Sequence, residues 1–308
     1  MIEADIRYPT DAGLAWQGAR ALARQGRKLA ARLPGQTRRV VDRSRQLGRL
    51  VRAISRTLAR RTGQRREEVM ELNAKAGRIL ARSIGEARML ATQARASARG
   101  RGAQAKLGAV RRLEELADHC QRIATQIRQR SQGERIVDRL VSLADPDARP
   151  IRKGKLGTPN QFGYVAQLAE VTANTGRGAR GFLLPAASAP GNPGENRLLP
   201  QTVAELDRLG LRPREVALDG GFASGPTTQT LAGLAPTRMF ISGRAEPGSR
   251  RTRRPLARYR TGCEGRISHL KRGYGLRRSR LRGDQGQRIW TGWAVLAYNL
   301  DTLAIQAA

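Results

Sequence analysis

A strand, a turn and a single carboxylate can be read from one stretch, Val216-Ala217-Leu218-Asp219-Gly220-Gly221-Phe222. The apolar residues before Asp219 favour a buried strand, and the two glycines after it favour a turn. An acid at the end of a strand lies at the rim of a sheet, where its oxygens can bind a divalent metal ion. Taken alone, the pattern favours an ordinary strand-to-loop turn over a metal site, so a metal site requires further acids.

A second acid lies in a predicted helix over residues 260–272. Arg260, Glu264 and Lys271 are spaced by four and seven residues, which places all three on one helical face. Glu264 could bind a metal ion while the two cations hold phosphates. The alternative is an Arg–Glu pair on the surface of the helix.

Basic residues cluster beyond this acid, in the glycine-flanked loop over residues 273–283. A flexible basic loop with one aromatic residue suits a nucleic-acid backbone, although a solvated loop has the same composition. A shorter basic run lies at residues 152–155. The side chains predicted to contact nucleic acid are Arg260, Arg266, Lys271, Arg272, Arg277, Arg278, Lys153 and Lys155.

The charge of the whole chain points to the same partner. Its 308 residues include 58 Lys and Arg against 25 Asp and Glu, a formal net charge of +33. Such a chain repels itself unless a polyanion neutralises it, and nucleic acid is the polyanion that basic proteins most often bind. A general enrichment of Arg and Ala through base composition would explain the choice of Arg over Lys, but not the shortage of acids.

The chain divides into three parts by composition. Residues 1–13 are extended, residues 14–133 are helical with breaks at Pro34-Gly35, near Gly63 and at residues 100–102, and residues 134–308 mix strands with helices. The arginine-rich faces of the helical part suit either solvation or an arm that grips DNA. Strands are predicted at residues 136–143, 162–171, 181–184 and 214–218. Helices are predicted at about 199–209, from about 261, and at about 285–305, the last with Trp290, Trp293, Val295, Leu296 and Leu300 buried.

Several functional classes are disfavoured. The two cysteines, Cys120 and Cys263, lack the spacing of a zinc site or of a disulfide framework, which fits a reducing cytoplasm. No run of about 18 apolar residues suggests a membrane span. We therefore expect a cytoplasmic protein.

Residues 135–305 resemble the DDE transposases of bacterial insertion sequences. The similarity rests on residues 142–151, 162–164, 218–222, 264–271 and 297–300. The spacing of Arg260, Glu264 and Lys271 is similar to the Tyr-Arg-Glu-Lys signature of one large subgroup, although the position of its Tyr is held by Ala257 here.

The resemblance implies an α/β fold, an RNase H-like mixed sheet carrying a long all-α insertion at residues 14–133. It implies that Asp219 and Glu264 are the second and third catalytic acids and metal ligands. Two Mg²⁺ ions are expected in an intact enzyme of this type, and DNA is the expected substrate. The resemblance also implies a bacterial protein associated with the nucleoid.

The resemblance places the first catalytic acid just upstream of Met1, so we expect an N-terminally truncated transposase. Asp145 and Asp5 are the alternatives within the chain. Asp145 follows an apolar run but also fits a turn, and Asp5 lies in the expected strand at a shifted position.

Three functional hypotheses remain open. The first is a transposase that cleaves DNA at insertion-sequence ends and transfers the strands. The second is an inactive remnant that binds DNA, a second copy of itself or an intact transposase. The third is a basic helical protein of the nucleoid, against which the α/β part argues.

Overall fold

The computed structural model describes residues 1–6, 9–33, 35, 38–60, 63–151, 160–173, 180–223, 225–243 and 250–307. They form two compact units. One comprises Met1–Asp5 together with Asp147–Ala308, and the other comprises Ile6–Pro146. The second unit is thus inserted between two segments of the first along the chain.

The inserted unit is helical and contains α1 (Asp11–Ala30), α2 (Ser44–Ala59), α3 (Arg65–Ala96) and α4 (Ala103–Ser131). Each of the three sequence breaks lies between two of these helices. The side chain of Thr10 begins α1 by accepting a hydrogen bond from the Gly13 backbone at 3.1 Å. Leucine, isoleucine and alanine side chains from all four helices form one continuous core.

The helical unit is closed where its two ends meet. The carboxylate of Asp11 is almost fully buried and lies 3.0 Å from both Arg130 Nε and Arg139 Nη2. Arg139 also donates to the backbone oxygen of Pro9. The residues entering α1 are therefore fixed to the segment that follows α4.

The prediction of a strand at residues 136–143 is wrong. This segment is irregular, because Leu140 packs into the helical core and the Gln126 side chain satisfies its backbone. The amide of Gln126 accepts from the Leu140 N–H at 2.6 Å and donates to its carbonyl at 3.2 Å. A side chain thus replaces the partner strand that the apolar pattern would otherwise need.

The other unit is a mixture of helices and strands, as predicted for an α/β protein. An antiparallel sheet has β3 (Gln161–Val171) at its centre, paired with β1 (Ile2–Glu3), β2 (Arg149–Ile151) and β4 (Phe182–Pro190). A separate parallel pair consists of β5 (Glu215–Leu218) and β6 (Arg238–Ile241). The predicted strand at residues 181–184 extends to Pro190, since its apolar residues continue to pair with β3.

The described part of this unit also contains the α-helices α5 (Glu195–Arg208), α6 (Gly225–Ala232), α7 (Arg250–Gly273) and α8 (Gly283–Ala307). Helix α7 begins well before the predicted position near Thr261. Pro255 lies inside this helix and removes one of its backbone hydrogen bonds. Leu256 and Tyr259 nevertheless bury their side chains in these turns.

The burial predicted for α8 is partly wrong. Thr291, Ala294, Val295 and Tyr298 face the unit's interior, so the opposite side of the helix is turned away from that core. This outer face carries a stripe of exposed apolar side chains, Ile289, Trp293, Leu296, Leu300 and Leu303. Trp290 is partly buried and donates its indole N–H to the Gly275 carbonyl at 3.1 Å.

Within the described ranges, none of the helices is both long and apolar enough to cross a bilayer.

Candidate active site

Asp219 and Glu264, the two acids singled out in the sequence, lie close together. Asp219 directly follows β5, and its carboxylate accepts a hydrogen bond from the Gly220 backbone at 2.7 Å. Glu264 lies in the middle of α7, which packs against β5. Both side chains are more than half exposed, at 56% and 55%, so a ligand can reach both carboxylates from solvent.

Arg260 bridges the two acids. Its Nη1 lies 3.2 Å from Asp219 Oδ1 and 2.6 Å from Glu264 Oε1, and its side chain is only 20% exposed. The Arg–Glu spacing of four residues does form a pair along the helix, and the same guanidinium also reaches the strand end. A single cation therefore balances two carboxylates that would otherwise repel each other.

A third carboxylate, that of Glu195, was missed by the sequence interpretation. It is the first residue of α5 and lies over the turn after Asp219: a Cβ on Gly221 would come within 2 Å of Glu195 Oε2, so the glycine is needed for this approach. Oε2 is buried and has no hydrogen-bond partner within the described structure. Burial raises the pKa of the Glu195 carboxyl, and the charge of Asp219 raises that pKa further. The turn Asn192-Pro193-Gly194 before α5 was the available signal.

The inner face of α7 holds a charged residue in an apolar setting. Leu256, Tyr259, Arg266 and Leu270 recur at spacings of three, seven and four residues and turn towards the unit's interior. Arg266 Nε lies 2.6 Å from the Glu170 carboxylate on β3, and these side chains are 17% and 1% exposed. The Arg266 guanidinium also lies 5.2 Å from the centre of the Tyr259 ring.

Charge compensation explains how Arg266 remains ionised there. Burial alone would lower the pKa of the guanidinium, but the hydrogen bond and the charge of Glu170 outweigh burial and raise it. Burial also raises the pKa of the neighbouring Cys263 thiol to about 12, an effect that Glu170 reinforces. Cys263 is therefore a neutral thiol and not a nucleophile. Arg266, predicted to contact DNA, is paired with Glu170 on the inner face of α7.

The other basic residues predicted to contact DNA differ in how exposed they are. Arg272, Arg277 and Arg278 are exposed, whereas Lys271 is half-buried. Lys153 and Lys155 lie outside the described residues.

The basic loop, residues 274–282, is held by its backbone. Glu3 of β1 donates to the Arg277 carbonyl at 3.0 Å and accepts from the Ser279 N–H at 2.9 Å. The Arg277 and Arg278 side chains point outward, 76% and 59% exposed. This arrangement fixes the path of the loop while leaving its cations accessible.

Neither internal alternative for a first acid completes a three-acid cluster. Asp5 is 88% exposed and lies 3.5 Å from Arg278 Nη1. Asp145 is buried within the helical unit. Among the described residues, no group of three or more His, Cys, Asp or Glu side chains is arranged to hold a metal ion.

Residues 178–300 match a protein-family model described as the transposase DDE domain. The matched range contains Asp219, Arg260 and Glu264, and it ends within α8. No curated protein and no solved structure matches the chain significantly.

Proposed function

Because residues 178–300 match a family model described as the transposase DDE domain, we propose that the chain cleaves and joins DNA through a site built on Asp219 and Glu264. The observation that carries this proposal is the convergence of the two acids on one guanidinium, from the end of a strand and the middle of a helix. The two accessible carboxylates share only one cation, so the site carries a net negative charge that favours the binding of a metal cation. We further propose that the mixed unit is an RNase H-like core.

The donor set suits Mg²⁺, since exposed carboxylate oxygens are the hard ligands that this ion prefers. We propose that Asp219 and Glu264 hold it. When bound, Mg²⁺ supplies charge stabilisation for the displaced and attacking oxygens of a phosphodiester.

The chain's own residues do the positioning. Arg260 contacts both acids, so it would lie beside a metal ion that they hold, and its guanidinium could bind a phosphate oxygen there. Arg272 in the last turn of α7, together with Arg277 and Arg278 on the loop of fixed path, holds the DNA backbone beside the site, because these three side chains are exposed. Arg266 and Glu170 hold the inner face of α7 and thereby the position of Glu264.

A supercoiled plasmid and Mg²⁺ or Mn²⁺ provide the test. Wild-type protein should nick the plasmid, and Asp219→Asn and Glu264→Gln should each reduce nicking to the metal-free background. Asp207→Asn and Glu205→Gln are matched controls, since these acids form surface pairs on α5 and their loss should leave nicking unchanged. Nicking that survives both site variants would refute the assignment of the two acids.

A second candidate function is DNA binding without cleavage. It is favoured by the lack of a three-acid cluster among the described residues, because two-metal chemistry usually needs more carboxylates than two. In that case the protein binds the plasmid with the same affinity in wild type, Asp219→Asn and Glu264→Gln, and no metal ion produces nicking.

A further inference from the structure

Helix α2 of the inserted unit separates its residues into two opposite faces. Leu47, Leu50 and Ile54 are buried in the helical core. On the other side are four exposed arginines, which we call the α2 arginine stripe: Arg45, Arg49, Arg52 and Arg56. At 100° per residue the four lie within about 60° of one another and opposite the buried leucines.

Among the described residues, no acid forms an ion pair with the α2 arginine stripe. The helix contains no Asp or Glu from Ser44 to Ala59, and within the described structure none of the four arginines forms an ion pair. Other exposed arginines of the same unit are paired, such as Arg88 with Asp118 at 3.0 Å and Arg95 with Glu114 at 2.5 Å. Like charges three and four residues apart destabilise a helix, so the stripe has a cost that an anionic partner would remove.

Helix α1 extends this positive surface. Trp16 lies beside Gly48, where a Cβ would be 3.6 Å from the indole nitrogen. The guanidinium of Arg20 lies 5.9 Å from the centre of the Trp16 ring. Arg20 and Arg24 are exposed on α1, so the positive charge is not confined to one helix.

The dimensions of the stripe fit a phosphate backbone. From Arg45 to Arg56 the helix rises about 16 Å, a length of duplex DNA that carries about ten negative charges. Guanidinium groups bind phosphate oxygens through paired hydrogen bonds and do not read base sequence. The α2 arginine stripe lies in the inserted unit, Ile6–Pro146, and outside residues 178–300 that match the family model.

We propose that the α2 arginine stripe binds the backbone of duplex DNA independently of base sequence. The choice of DNA as the polyanion rests on the proposed function, whereas the binding itself requires neither Asp219 nor Glu264. The inserted unit thereby gives the protein a second contact with DNA, apart from the cleavage site.

The experiment compares two full-length variants of equal net charge. One carries Arg45→Gln, Arg49→Gln, Arg52→Gln and Arg56→Gln. The control carries the same change at four paired arginines, Arg60, Arg88, Arg95 and Arg122. Affinity for a random-sequence duplex is measured in EDTA from about 50 to about 200 mM KCl, so that cleavage cannot contribute.

We expect the stripe variant to lower the slope of log affinity against log salt by about 0.9 for each DNA phosphate that is no longer neutralised. Its binding at about 100 mM salt should be about tenfold weaker for each such phosphate. The control should stay close to wild type. Equal losses of affinity in the two variants, or no loss in the stripe variant, would overturn the proposal.

Two further measurements separate charge from folding and DNA from other polyanions. A fourfold Arg→Lys stripe variant keeps the charge and should retain most of the salt slope, so a loss there as large as that of the Gln variant would overturn the proposal. Polyglutamate should compete far less well than DNA at equal charge, and equal competition would overturn duplex DNA as the partner. Because this binding assay is run in EDTA, it does not depend on cleavage. Wild-type protein that binds DNA through the stripe but fails to nick plasmid with Mg²⁺ or Mn²⁺ would refute the proposed function and leave the stripe proposal standing.

Discussion

The buried pair between Glu170 and Arg266 should be the most sensitive point of the mixed unit. The two side chains are 1% and 17% exposed and lie 2.6 Å apart. Glu170 also accepts a hydrogen bond from the Gly181 backbone at 2.8 Å. The change Glu170→Leu removes the charge and this acceptor together, and leaves the guanidinium in an apolar interior.

Removing one partner of a buried ion pair costs about 3 to 5 kcal/mol, because the remaining charge is left uncompensated. Arg266 keeps some access to water, so we expect Glu170→Leu to lower the free energy of unfolding by about 3 kcal/mol. Replacing both partners by apolar residues is often close to neutral. The double variant Glu170→Leu with Arg266→Leu should therefore recover most of the loss, a coupling of about 2 kcal/mol or more.

Urea unfolding followed by tryptophan fluorescence provides the assay. The chain has three tryptophans, and in a Trp16→Phe background the signal comes from Trp290 and Trp293, which both belong to the mixed unit. The exposed pair of Glu205 and Arg208 is the matched control and should couple by less than about 0.5 kcal/mol. Single and double variants that lose the same stability, with no coupling, would refute the reasoning.

Three other changes have defined outcomes. Gly163→Ala should destabilise the mixed unit by about 2 kcal/mol or more in the same urea assay, because the new Cβ would lie 2.2 Å from the Ile2 carbonyl oxygen. Gly292→Ala is the control: its Cβ would meet nothing within 4 Å, so it should not destabilise the unit. Arg260→Gln should strengthen Mn²⁺ binding by about tenfold in a titration followed by electron paramagnetic resonance, since a competing cation is removed; unchanged affinity would show that Arg260 does not compete. Arg43 donates a hydrogen bond to the Glu86 carboxylate and lowers the pKa of Glu86 below its usual 4.5, so the native state binds fewer protons than the unfolded chain. The stability that this pair contributes is therefore lost as the pH falls below 4.5. Glu86→Gln should flatten the acid side of the stability profile measured by circular dichroism, and an unaltered profile would contradict the assignment.

The sequence predicted elements best where the pattern is local. The strand before Asp219 and the helix carrying Glu264 follow from apolar periodicity and glycine, and a transposase domain was expected from the same residues. The irregular segment at residues 136–143 could not be predicted, because its apolar residues pack on helices and the Gln126 side chain replaces a strand. No sequence pattern reports such a long-range hydrogen bond.

The candidate site shows the same limit. The spacing of Arg260 and Glu264 is local and was read correctly as one helical face, whereas the reach of Arg260 to Asp219 depends on how α7 packs against β5. The charge of Arg266 is visible in the sequence, whereas its partner Glu170 lies almost one hundred residues earlier and could not be identified from a local pattern. Glu195 was passed over for the same reason, since its approach to Gly221 joins elements that are distant in the chain.

The closure of the helical unit by Asp11 and Arg139 has a consequence for the order of folding during synthesis. At a synthesis rate of about 5 to 20 residues per second, Ile2 is made roughly 10 to 30 seconds before Tyr164, its partner in the sheet. By then the helical unit, whose residues all precede Asp147, can already be folded, and its ion pair joins residues 11 and 139. The unfavourable loop closure of some 160 residues is thereby reduced to that of two short connecting segments, so the completion of the sheet around β3 depends on the helices inserted within it.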